Sequence, residues 1–132
     1  MSYALSIDLA QPFEDVVPLV KQALAANGFG IVAEIDMQKT LKDKIGVEIE
    51  PHLIFGACNP RFAHRALQVE PSIGLLLPCN VVVRHAGEVT VVEAINPETL
   101  VTLTENPALA ALARELTGAL DAALDTLRES LA

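Results

Sequence analysis

A basic patch, a bilayer-length apolar run and a metal-type cysteine spacing are all missing from this chain of 132 residues. Its nine lysines and arginines are scattered among 17 aspartates and glutamates, leaving a formal net charge of −8. Binding to nucleic acid without sequence preference depends on basic side chains that neutralise phosphates. That partner class is therefore not expected, and anionic membrane surfaces are set aside for the same reason. No stretch approaches the roughly 20 apolar residues that span a bilayer. Met1 to Leu9 shows no basic segment ahead of an apolar one, so no signal peptide is expected and the cytoplasm is the expected location. Cysteine occurs only as Cys58 and Cys79. Their spacing is neither CxxC nor a complete zinc pattern, and a reducing compartment argues against a structural disulfide.

What is present is apolar and largely aliphatic. Hydrophobic residues make up 52% of the chain and aromatics 4%, so Ala, Val and Leu supply the surplus. The length fits one domain on a scale of roughly 100–200 residues each, and it can bury a core without disulfides or a structural metal. The apolar excess predicts either a ligand cavity or a subunit interface.

The pattern along the chain predicts α+β. Tyr3 to Leu9 alternates as a half-buried strand. Pro12 opens a helix with Phe13, Val16, Val17, Val20 and Leu24 on one face, and Asn27-Gly28 closes it. Pro18 inside that helix predicts a kink or a late start. Phe29 to Ile35 is the second strand, and Asp36 caps a short helix that runs through Lys44 to a stop at Gly46. His52 to Cys58 is the third strand, followed by a short helix from Asn59-Pro60. Leu75 to His85 is strongly apolar, interrupted by Pro78, and its run without alternation reads as a strand buried on both faces. Ala86-Gly87 turns it into Glu88 to Ile95. Asn106 then caps, Pro107 begins, and Leu109, Leu112, Leu116, Leu120, Leu124, Leu127 and Leu131 stripe a helix of about 24 residues. The expectation is a largely antiparallel sheet of about five strands, with helices on one face. The other face then needs cover, and a homodimer packed through the sheet supplies it.

Several motifs in order carry a family resemblance. They are Gly28-Phe29-Gly30, Glu34-Ile35-Asp36, Lys44-Ile45-Gly46-Val47, Phe55-Gly56-Ala57-Cys58-Asn59-Pro60, Ile73 through Val83, and Ala94-Ile95-Asn96-Pro97. Together they resemble the domain-of-unknown-function 302 family over nearly the whole chain. The resemblance implies a fold similar to the TATA-box-binding-protein-like group (strand, helix, four strands, helix) that is often dimeric. It implies no activity and no catalytic residue.

Candidate chemistry centres on the two thiols. Cys58 ends a strand just before a helix N-terminus, where unpaired N–H groups and the dipole favour a thiolate. Cys79 begins the next long strand, and adjacent strands would place both thiols at one sheet end. Three readings stand. The first is a homodimeric binding module for a small ligand or a soft metal, Cu(I) or Zn, held by Cys58, Cys79 and His64 or His52. The second is a thiol-dependent redox protein or enzyme with His64 as base. The third is an interaction domain whose cysteines are inert small apolar side chains. Arg61 and Asn80 complete the ligand-binding set. Arg61 and Arg65, one helical turn apart, can take an anion or simply face solvent. Glu34 and Asp36 can pair as carboxylates, though a solvated Glu34 and a capping Asp36 is the simpler account. His85 and His52 sit at strand ends. Gly28-x-Gly30 lacks the third glycine of a dinucleotide fingerprint. No cofactor is assigned.

Overall fold

Apolar alternation along five short segments, each closed by a local stop signal, produces one antiparallel sheet in the computed structural model, which describes residues 2–131. The strands are β1 (Ala4–Leu9), β2 (Gly30–Asp36), β3 (His52–Cys58), β4 (Cys79–Ala86) and β5 (Val89–Ile95), in spatial order β1-β5-β4-β3-β2. Every neighbouring pair is antiparallel. Register aligns Phe55, Val81, Ala94 and Leu5 in one row and Leu53, Val83, Val92 and Ile7 in the next. Because side chains alternate between faces, both rows lie on the same side, and that side is the core.

Two helices cover it. In α1 (Phe13–Ala26), Val16, Val20, Ala23 and Leu24 are buried. In α5 (Ala110–Ser130), Leu112, Leu116, Leu120, Leu124 and Leu127 are buried with Ala113 and Ala123. The predicted leucine stripe is thus the packing face. Pro18 does not delay α1, which begins at Phe13 and runs through it. The N–H that proline lacks would have met the carbonyl of Glu14, and Glu14 and Pro18 are both exposed, so water can satisfy that carbonyl. The long C-terminal helix is entered through a 3-10 turn, Pro107–Leu109, capped by Asn106, whose side chain accepts from the Ala108 N–H at 3.0 Å.

The connections hold the other helices: α2 (Met37–Ile45), α3 (Pro60–Val69) and α4 (Glu98–Thr104). Asp36 caps α2 by accepting from Lys39 N–H at 2.9 Å, and Gly46 ends it. The sequence pattern gave no sign of α4, because its one buried side chain, Leu100, leaves no apolar period. The apolar run from Leu75 is not one strand but divides at Pro78. Pro71–Leu76 forms a 3-10 turn, Leu75 is 88% exposed, and β4 starts at Cys79. Nor is β4 buried on both faces in the single chain. Cys79, Val81 and Val83 are buried, whereas Asn80 is exposed and Val82 and Arg84 are half-buried.

The second sheet face carries the row Ile35, Ile54, Val82, Glu93 and Ser6. Beside it runs the row His52, Arg84, Val91 and Asp8. Arg84 Nε donates to Glu93 Oε1 at 2.8 Å. Apart from buried Val91, these side chains are half-buried or exposed.

Candidate functional site

The β3–α3 and 3-10–β4 junctions meet at one end of the sheet because β3 and β4 are antiparallel neighbours. Ala57 is opposite Cys79, so Cys58 and Cys79 sit one residue out of register. Both line a pocket of about 270 Å3. Its walls are Val32 from β2, Ala57 and Cys58 from β3, Phe62 and Ala63 from α3, Leu77 and Pro78 from the approach to β4, and Leu116 from α5. Among the described residues Asn59 is its one polar side chain besides the thiols, and no charged residue lines it.

Local sequence explains each wall. Asn59 caps α3, its Oδ1 accepting from Phe62 N–H at 3.2 Å, and Pro60 takes the first turn where no N–H is needed. That cap turns Phe62 inward, where it is buried. Gly56 lets the Pro78 ring lie against the sheet. A Cβ at position 56 would stand 2.8 Å from Pro78 Cγ and 3.3 Å from Ala33 Cβ. Gly28 (φ +88°) closes α1 beside the pocket, and a Cβ there would stand 3.6 Å from Asn59 Nδ2. A slip in the β2–β3 register between Ile31 and Ala33 leaves Val32 at the bulge, 65% exposed, where it forms one wall.

The two thiols differ. Both are free, Cys58 half-buried and Cys79 buried. Burial pushes the Cys79 thiol up to about 11, and the nearby Cys58 adds to the shift. A thiol held neutral at ordinary pH is a poor nucleophile and gives up its proton reluctantly.

The remaining expected site residues are dispersed. His64 and Arg61 are exposed on α3 and are not among the lining side chains. The expected Cys58–Cys79–His64 trio is not assembled, and the described residues contain no group of three or more His, Cys, Asp or Glu able to hold a metal ion. Asn80 points to the other sheet face, in a shallow groove with Tyr3, Val82, Glu93 and Ile95. Arg65 pairs with Glu115 at 2.7 Å. Glu34 pairs with Lys21 of α1 at 2.9 Å, and the Lys21 ammonium lies 5.6 Å from the Phe55 ring centre. With Asp36 committed to its cap, the two carboxylates do not act as a pair. His85 Nδ1 lies 3.3 Å from Glu50, and His52 is half-buried in β3. Val32 and Leu116 escaped the sequence reading because one sits on a bulge and the other within a leucine stripe that reads as core throughout.

Comparison with known proteins gives a consistent picture. The model of a family described as domain of unknown function DUF302 matches residues 5–127. The crystal structure of an uncharacterized conserved DUF302 protein from Bacillus stearothermophilus superposes with a TM-score of 0.90. Identity is 26%, over 96% of this chain and 99% of that one. No curated protein matches the chain. No described helix is long and apolar enough to cross a membrane.

Proposed function

Since this chain belongs to the DUF302 family, whose description assigns no activity, we propose a function from its own geometry: a homodimeric module that binds a small ligand between Cys58 and Cys79. The observation that carries the reading is the pocket itself. It is partly open, nearly all apolar, and walled by five separate strands and helices, as small-molecule sites usually are. The raised Cys79 thiol and the exposed position of His64 weigh against thiol catalysis, which needs an ionised sulfur with a base beside it. They also favour an organic ligand over a soft metal, which must displace both thiol protons and here finds two donors in the pocket.

The dimer part of the proposal draws on the open sheet face. Ile35, Ile54 and Val82 form an apolar row, and the charges beside it, Arg84 and Glu93, neutralise each other within one chain. A chain of net charge −8 repels its own copies least through such a face.

Native mass spectrometry of protein purified anaerobically from its own host tests both parts. The expected species is a dimer that retains a small organic mass, and Val82→Asp is expected to convert it to monomer. A wild-type monomer would end the dimer reading. A retained Cu or Zn ion lost in Cys58→Ser would replace the organic ligand with a metal.

A further inference from the structure

Resting on that pocket reading, we infer the chemical class of the ligand: a neutral, largely apolar molecule carrying one carbonyl-type acceptor, held at its polar end by the Asn59 amide. Among the described residues no carboxylate, guanidinium, ammonium or imidazole lines the pocket. A charged head group inside would lose its hydration and find no counter-charge, a cost that neutral molecules escape. The polar contact must therefore come from Asn59 or a thiol.

The two ends of Asn59 have different duties. Its Oδ1 is engaged by Phe62 N–H at 3.2 Å, which fixes the amide orientation and leaves Nδ2 as the free donor. Among the described residues Nδ2 donates to no protein group, whereas Asn27, at the neighbouring turn, places its own amide on Ala23 O and Thr126 Oγ1. Gly28 places no side chain beside Nδ2, where a Cβ would stand 3.6 Å from it. A ligand carbonyl meets this donor, and the apolar body fills the space between Phe62, Leu77, Pro78 and Leu116. An amine head group would meet a donor with a donor, and a carboxylate would meet a single neutral donor.

Titration of the purified full chain with 2-nonanone, nonanoate and nonylammonium, followed by ligand-observed NMR, tests this. The ketone is expected to bind at least about tenfold tighter than either ion. Asn59→Asp keeps an oxygen for the α3 cap, where Asp serves as well as Asn, but removes the donor. It is expected to weaken ketone binding about fivefold while the melting temperature holds. Nonanoate or nonylammonium binding as tightly as the ketone overturns the ligand class and leaves the pocket reading intact. Unchanged ketone affinity in a folded Asn59→Asp protein overturns the role of the amide. Binding of none of the three overturns the pocket reading and this inference together. Should Asn59→Asp fail to fold, the wild-type ranking of head groups still decides the ligand class.

Discussion

The two faces of the sheet draw on the same run of valines but meet different fates. On the covered face Val81, Val83 and Val92 lie under α1 and α5 and are almost completely buried. On the open face Val82, from the same run of three valines, is half-buried. Only the pleat separates them, since successive side chains point to opposite sides. The lesson concerns the Val81-Val82-Val83 run. Composition can require that both faces be apolar, yet the single chain has helices enough for one. The covered face spends its apolar residues on stability, whereas the open face leaves Val82 half-buried and Ile35 exposed.

The largest difference between the faces is expected from truncating one side chain on each. Leu120 is fully buried in α5 against Val20, Val81 and Val92. The space among these side chains is only about 10 Å3, so no existing void absorbs the change. Leu120→Ala removes contacts that the packed neighbours cannot replace, and it is expected to cost about 2–5 kcal/mol in urea unfolding. Val82→Ala, measured in the isolated chain, is expected to cost less than about 1 kcal/mol, since a half-buried side chain leaves no closed cavity. If the two variants lose equal stability in the isolated chain, the faces are not different in kind.

This contrast also explains how much of the molecule was legible in its sequence. The strands, the α2 cap at Asp36 and the leucine stripe of α5 were readable because each depends on residues a few positions apart. Pro78 was visible as a break in the apolar run, but nothing in Leu75, Leu76 and Leu77 marks them as turn rather than strand. The decision that Leu75 faces solvent is made by the 3-10 turn around them. The pocket was half legible. Cys58 and Cys79 both line it, a placement the sequence offered only on the condition that their strands are neighbours, which the β3–β4 pairing meets. Its far wall was not readable, because Leu116 reaches it from another part of the chain and Val32 through a bulge. His64 and Arg61 were drawn toward the site by chain proximity to Cys58. The period of α3 places Phe62 and Ala66 inward and leaves both of them outside.

A second test compares the two thiols at the sheet end by their response to pH. Cys79 has its pKa raised from 9.0 to about 11 by burial. The folded state therefore holds this proton more tightly than the unfolded state does. The stabilising effect is complete below about pH 9, shrinks as the unfolded thiol ionises, and is gone once pH has risen through about 11. Two pH units correspond to about 2–3 kcal/mol. Urea unfolding of the wild type is expected to show that loss between these limits, and Cys79→Ala to show a correspondingly shallower decline. A matching experiment with a thiol reagent at neutral pH is expected to label Cys58 and spare Cys79. Equal labelling of both in the folded protein would remove the distinction between them.

The last test concerns the seam where the two faces and the pocket meet. Gly56 lies in β3 with the Pro78 ring directly over it, in the space where any other residue would place its Cβ. Ala33 stands on the other side of that space, so a new methyl group has no free direction in which to relax. The ring must move, and Pro78 lines the pocket together with its neighbours Leu77 and Cys79. Gly56→Ala is therefore expected to cost about 1–3 kcal/mol through overpacking, partly offset by the lower chain entropy of alanine in the unfolded state. Its more telling effect is on the pocket. Displacement of Pro78 changes one wall while leaving Asn59, Phe62 and Leu116 in place, so affinity for 2-nonanone is expected to fall with the core otherwise intact. Gly74→Ala is the control, because a Cβ there meets nothing within 4 Å. A Gly56→Ala protein that binds the ketone like wild type, with stability to match the control, would show that the Pro78 wall is not what shapes the site.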